Sequence, residues 1–244
     1  PPRSTLFPYT TLFRSTCAVV GDVDPAEVFR LAELYFGRIP SAPKPEPLRT
    51  EEPEQWGERY VKVEVQAQPI LFIGYHRPSV HSREDITFDA MANIFGQGRS
   101  SRLYSKLVKE KKIAIQAASM NGFPGDKYPN LFVVYAVPAK GHTAQECLAA
   151  IDAEIQNLKN EPITADELGK FKRQTKKSVI SQMKSNSQMA GLLTYADVVL
   201  GDWQELFTLL DKVDAMTAVE VQAVANTYLI NKNRTIGETV TVQE

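Results

Sequence analysis

The chain has 244 residues, 43% of them hydrophobic, and sets 28 lysines and arginines against 29 aspartates and glutamates. That is the composition of a globular protein of one large domain, or one domain plus a fragment, and a formal net charge of -1 gives no global reason to expect nucleic acid or an anionic membrane as a partner. No stretch approaches the roughly 20 apolar residues of a transmembrane helix, and two distant cysteines, Cys17 and Cys147, make neither a disulfide framework nor a metal knuckle.

Residues 1–16, PPRSTLFPYTTLFRST, repeat the triplet Thr-Leu-Phe without helical or strand period. They read as a cloning or adapter artefact, or as a poorly ordered tail, and are set aside from the fold. Cys17-Ala-Val-Val-Gly21 reads as a short apolar strand. Asp24 as N-cap, Pro25 at the first helical position and Glu27 then open a helix. Its apolar residues are Val28, Leu31, Ala32, Tyr35 and Phe36, and Gly37 ends it. Prolines 40, 43, 45, 47 and 53 follow in a stiff, polar stretch that is the best domain boundary in the chain.

Beyond it, Tyr60–Gln66 alternates, with Val61, Val63 and Val65 on one face, and predicts a half-buried strand. Ile70–His76 is a second strand, joined to the first too tightly for a crossover, so the sheet is mainly antiparallel there. Ser82–Phe95 reads as a helix capped by Ser82. The glycine loop Gly96-Gln-Gly98 leads to a helix from Ser100 to Lys112, and strands Ile113–Phe123 and Leu131–Pro138 come next. Thr143/Glu146, Thr164/Glu167 and Thr217/Glu220 each have capping-box spacing. They open a helix that buries Cys147 as a small hydrophobe, a long helix to about Ser185, and a late helix. Shorter helices lie around Met189–Leu200 and Trp203–Val213, and a final strand near Arg234–Val242. Strands that alternate, interleaved with amphipathic helices, make an α+β domain with the sheet backed by helices.

Few residues invite chemistry. His76 and His81 are five apart across a proline, which matches no zinc-helix or knuckle spacing, and read as exposed loop histidines at a strand end; His142 reads as a loop residue before the Thr143 box. The loop Gly96-Gln-Gly98-Arg99-Ser100-Ser101 lacks the third glycine of a dinucleotide fingerprint and follows a helix rather than a strand, so it reads as a tight turn capped by Ser100 or Ser101. No nucleophile–base pair is apparent. The basic runs Lys106, Lys109, Lys111, Lys112 and Lys170, Lys172, Arg173, Lys176, Lys177 read as solvated helix faces, with a positively lined chamber wall as the sharper alternative.

Four segments carry a family resemblance: Val19-Val-Gly-Asp-Val-Asp-Pro25, Tyr35-Phe-Gly-Arg-Ile-Pro40, Phe95-Gly-Gln-Gly-Arg-Ser-Ser-Arg-Leu-Tyr104 and Leu107-Val-Lys-Glu110. With Gly201-Asp-Trp203 and the Thr217–Tyr228 helix, they make residues 18–242 similar to the M16 metallopeptidases of insulinase, pitrilysin and processing-peptidase type. In that family two similar halves close around an unfolded peptide, and the N-terminal half holds zinc through His-x-x-Glu-His and a distal Glu. This chain contains no His-x-x-Glu-His. The resemblance makes residues 17–40 the end of the N-terminal half, 41–57 a linker and 58–242 the C-terminal half. It implies zinc in the N-terminal half and none here, with that half and peptide substrates as partners. It gives this chain no catalytic or metal-binding residue. The family's substrate-binding arginine and tyrosine fall on Val108 and Ile115 here, so no substrate-binding residue is carried over. The expected function is the non-catalytic half of a zinc endopeptidase, forming one wall of the chamber, with a non-catalytic assembly subunit as the alternative. Compartment and substrate are left open.

Overall fold

A computed structural model describes residues 16–40 and 52–241, so residues 1–15 and most of the expected linker lie outside it. The chain divides into a larger unit, Glu54–Ser178 with Phe207–Glu244, and a smaller one, Pro1–Pro53 with Val179–Leu206.

The larger unit is built on one five-stranded sheet. Its strands are β1 (Arg59–Val65), β2 (Leu71–Arg77), β3 (Ala114–Phe123), β4 (Asn130–Pro138) and β5 (Arg234–Thr241), in the spatial order β1-β5-β2-β4-β3. All neighbours are antiparallel except β1 and β5, which run parallel with Arg59 opposite Thr235. The antiparallel sense expected between β1 and β2 holds, but they are not neighbours, because β5 lies between them. The five residues linking them can reach about 16 Å, enough to step over one strand but not to carry a helix.

Helices α2 (Asp85–Gly96), α3 (Ala144–Asn160) and α7 (Ala218–Tyr228) cover one face of this sheet. Leu71, Ile73 and Tyr75 of β2, Phe132 and Val134 of β4 and Ile236 of β5 point into the resulting core, each at most 1% exposed. They meet Phe88, Phe95, Ile151 and Val221 from the helices. Burying each such side chain contributes about 1.5–3 kcal/mol. The three rings of Phe88, Phe132 and Tyr228 interlock, with centroids 6.2 and 5.0 Å apart.

The three predicted capping boxes all form. Thr143, Thr164 and Thr217 each accept the amide of the glutamate three residues on, and each glutamate accepts the threonine's own amide. They open α3, α4 (Ala165–Met183) and α7. Two other starts differ. Helix α2 begins at Asp85, because Ser82 is spent on the preceding turn, accepting the amide of Glu84. The segment after the glycine loop is a π-helix over Tyr104–Glu110.

The smaller unit holds α1 (Pro25–Phe36), α5 (Asn186–Tyr195) and a π-helical turn, Ala196–Leu200. Asp24 caps α1 by accepting the Ala26 amide at 2.9 Å, but Glu27 pairs with Arg30 instead of completing a box. No residue of α1 is buried. The strand expected at Cys17–Gly21 does not form, since a strand exists only by pairing and this segment has no strand beside it among the described residues.

Arg234 ties β5 to its surroundings. Its side chain is 7% exposed and pairs at 2.5 Å with both Asp152 of α3 and Glu58 ahead of β1. It also donates to the Tyr75 hydroxyl at 3.3 Å, and its own carbonyl accepts from Gln55 at 2.7 Å. Burial disfavours the charged arginine, but the bonds to Asp152, Tyr75 and Glu58 outweigh it and raise its pKa. Burial pushes the Tyr75 phenol up to about 12, so it stays neutral. Replacing Arg234 with alanine strands these partners, although Asp152 and Glu58 can rehydrate. A loss of about 2–3 kcal/mol is expected, read as a lower urea midpoint with unchanged slope.

Candidate functional site: the uncovered face of the sheet

Side-chain alternation in the strands decides what the second face of the sheet carries. Register places Val61, Val63 and Val65 of β1, Phe72 of β2 and Leu131, Val133, Tyr135 and Val137 of β4 opposite to the core. From β3 come Ala118, Met120 and Phe123. Val61, Phe72 and Phe123 are 50%, 42% and 50% exposed. The valine face of β1, expected to be the buried one, is therefore the open one. Tyr60 turns instead to the helix side, where it hydrogen-bonds Glu238 and accepts from Gln145 of α3 at 2.9 Å. An antiparallel sheet with one wet face normally sets polar residues there. Here the wet face is largely apolar outside β5, its polar members being Arg59, His76, Gln116, Thr235, Thr239 and Thr241, with Phe72 against Tyr135 at 5.8 Å and Gln116 donating to the Tyr135 hydroxyl at 2.8 Å.

One rim of this face is β3, which has a neighbour on one side only among the described residues. A bulge lies between Ala114 and Gln116, so Ile115 and Gln116 are both exposed. Val108 and Ile115, which the resemblance sets at the family's substrate-binding positions, are not brought together as a polar pair. Val108 packs half-buried against the core from the π-helix, whereas Ile115 is 55% exposed on the rim. Lys112, between them, has φ 55 and closes the π-helix, with the amide of Ile113 returning to the Leu107 carbonyl at 3.0 Å.

The remaining sequence candidates resolve into structural roles. His76 is not a loop residue. It lies in β2, half-buried, with Nε2 3.2 Å from the Gln55 side-chain oxygen. His81 is exposed in a turn, and His142 precedes α3 with Nδ1 3.3 Å from Glu146. In the glycine loop, Gly98 takes φ +82 and Ser101, 2% exposed, donates to its carbonyl at 2.8 Å. The Ser101 hydroxyl also accepts the Tyr104 amide at 3.4 Å, which makes Ser101 the capping serine, while Ser100 meets Lys170. Cys147 is buried beside the Ile113 carbonyl, and burial pushes its thiol up to about 11. It packs as a hydrophobe and is no nucleophile. Lys172 and Lys176 of α4 reach the carbonyl and carboxylate of Asp214, and Lys106 pairs with Glu110.

Sequence reasoning did not find the buried polar cluster at the end of β2. Arg77, its side chain wholly buried, pairs with Asp85 at 2.7 Å, bonds Asn121 of β3 and lies 4.7 Å from the centre of the Phe88 ring. The arginine already neutralises Asp85. Among the described residues, no group of three or more His, Cys, Asp or Glu side chains converges as a metal site. The donors present do not fit zinc.

Two substitutions test this local chemistry. The Glu167 carboxyl lies below its ordinary 4.5, first because of its paired hydrogen bonds from Arg102 at 2.7 and 2.8 Å. A lowered carboxylate stabilises fully above its unfolded pKa and stops doing so as pH falls through its folded one. Glu167→Gln should therefore cost about 1 kcal/mol at pH 7, with the gap in urea stability closing below its lowered pKa. Lys112→Gly should stabilise by about 0.5–1 kcal/mol, since glycine takes positive φ without the Cβ clash; a lower midpoint would contradict that account.

A family model described as the peptidase M16 inactive domain matches residues 9–175. The chain is 32% identical over 217 residues to the zinc protease PqqE of Helicobacter pylori, covering 86% of this chain and 48% of that protein. It is 22% identical over 223 residues to the uncharacterized zinc protease YmxG of Bacillus subtilis, covering 91% and 53%. The chain therefore spans about half the length of these relatives. The crystal structure of a protease from Helicobacter pylori superposes with a TM-score of 0.82 at 29% identity, over 90% of this chain and 53% of that one. The helix-backed sheet, the family match and the half-length relatives converge: the chain belongs to the M16 peptidase family and carries that family's inactive, C-terminal-half domain.

Proposed function

We propose that this chain is the non-catalytic C-terminal half of a zinc-dependent M16 endopeptidase, and that the uncovered face of its sheet is one wall of the chamber that holds the peptide. The observation that carries this reading is that face itself: an apolar surface contributed by β1, β2, β3 and β4 and exposed at Val61, Val63, Phe72 and Phe123. A wall of this kind excludes water and orders an extended chain by side-chain packing while chemistry proceeds elsewhere. Zinc belongs to the other half, and this half supplies no ligand to it.

The start of the chain supports the same division. Helix α1 carries Val28, Phe29, Leu31, Leu34, Tyr35 and Phe36 over most of its circumference, and Phe29 and Phe36 are 74% and 64% exposed. Beside its charged stripe of Glu27, Arg30 and Glu33, a helix with this much exposed apolar surface belongs against another surface. Residues 17–40 are then the last strand and helix of the zinc-bearing half, which would provide the missing strand neighbour and cover α1. Residues 41–57 join the two halves.

The test is reassembly. The 244-residue chain alone should hydrolyse no unfolded peptide. Co-expressed with the zinc-bearing half encoded at its source locus, it should co-purify and cleave, and chelation should abolish the activity. Association without cleavage, through a half that lacks the zinc ligands, would favour an assembly subunit instead. Deleting residues 16–40 should abolish association while shifting the larger unit's thermal midpoint by less than about 2 °C, because α1 buries no side chain.

A further inference from the structure

The two edges of the sheet are built differently. The β3 edge is irregular twice, between Ala114 and Gln116 and between Met120 and Phe123, and bulges spoil an edge for further pairing. The β1 edge has no such interruption. Arg59–Val65 follows Thr235–Thr241 residue for residue through the whole strand, with neither bulge nor proline. Among the described residues β5 is the one strand beside it. Tyr60, Val61 and Val63 are 45%, 50% and 47% exposed. The outer row of β1 main-chain groups is therefore a straight template for one more strand.

The side chains of this edge define what fits it. Val61, Val63 and Val65 lie on one side of β1, and Lys62 and Glu64 on the other. Glu238, opposite Lys62 on β5, is already bonded to Tyr60. Lys62 and Glu64 themselves make no ion pair or side-chain hydrogen bond among the described residues. Residues directly opposite in an antiparallel pair share a face. An incoming strand must therefore set apolar residues against the valines and present its charges in reverse order. The same strand, turned end for end, does both. A two-fold axis at Val63 sets Val63 against its own copy, Val61 against Val65, and Lys62 against Glu64 at two symmetric crossings. An axis at Lys62 or at Glu64 would set like charges together, one at Val61 would bring Glu64 to Glu58, and one between residues would put valines against charges.

We infer that β1 pairs antiparallel with β1 of a second copy of this chain, about a two-fold axis at Val63, so that the sheets of the two copies become one. The interface is the same strand on both sides and closes on itself, which gives a dimer and not a filament. Residues 61–65 overlap, a small contact held by main-chain hydrogen bonds, a valine ladder and two Lys62–Glu64 crossings. A contact of this size makes a weak, reversible dimer rather than a permanent one. The inference goes beyond the peptidase reading and does not rest on it: cleavage or silence of the reassembled halves leaves it untouched.

The experiment is sedimentation equilibrium of the 244-residue chain between about 1 and 200 μM, where a weak dimer is measurable. The wild-type chain should fit a monomer–dimer equilibrium. Glu64→Lys sets lysine against lysine at both crossings, and Lys62→Glu sets glutamate against glutamate. Each should weaken the dimer about ten-fold or more. Glu64→Lys is the cleaner of the two, because Glu64 faces Val240 within its own sheet whereas Lys62 faces Glu238. Mixing the two variants restores opposite charges at both crossings, so the mixture should dimerise as the wild type does, which also shows that both are folded. The double variant Lys62→Glu/Glu64→Lys should dimerise by itself. Three results would each overturn the inference. One is a wild-type chain that stays monomeric at about 200 μM. Another is a dimer unmoved by either reversal, which would assign association to another surface such as α1 or the valine face. The third is a mixture of the two variants that remains monomeric.

Discussion

The larger unit depends on one placement: β5 lies between β1 and β2, where it hydrogen-bonds both. Without it β1 has no neighbour and the sheet loses its continuity. Arg234 makes the placement unique. A guanidinium that is nearly buried must have its donors met, and Asp152, Glu58 and Tyr75 converge only when β5 is in this slot and in this register. A one-residue slip would put Ile236 into the open and turn Arg234 away from all three. The burial of Leu71, Ile73 and Ile236 supplies most of the free energy, and the arginine supplies the selection among arrangements that would bury a similar area.

The same alternation produces two unlike faces. One is filled by α2, α3 and α7 to the density of an ordinary core. The other stays exposed at Val61, Val63, Phe72 and Phe123. That asymmetry gives an inactive domain something to do without a reactive group. Arg77 and Asp85 neutralise each other at the sheet's end, and Cys147 is held protonated within the core. The remaining resource is shape and polarity, spread over a surface that a flexible ligand can lie across.

What could be read from the chain before folding was local. The capping boxes at Thr143, Thr164 and Thr217 depend on contacts three residues apart, and all three form. The strands were legible from alternation, and the family from short motifs around Gly96 and Gly21. Which face of β1 is buried was not legible, because Val61-Lys-Val63-Glu-Val65 looks like a strand resting its valines on a core. Only the insertion of β5 decides that Tyr60 turns toward the helices. The Ser82 cap was missed because a serine can serve a turn as well as a helix. The π-helix at Tyr104–Glu110 was missed because one extra residue per turn leaves the apolar positions, Leu103 and Leu107, at ordinary helical spacing. The uncovered face was hidden for a related reason: composition counts apolar residues but does not say which of them stay wet.

The position of β5 in the chain also orders events in the cell. Arg234–Thr241 follows every helix of the domain, so a ribosome will have made β1 through α7 before the strand that joins β1 to β2 emerges. Until then the edge of β2 is open and its main-chain groups are unpaired. The incomplete sheet is then a template for any other strand nearby. Completion requires the strand pairing of greatest sequence separation, β1 with β5, which slows closure. A nascent chain of this type is thus open to misassembly until β5 has been made.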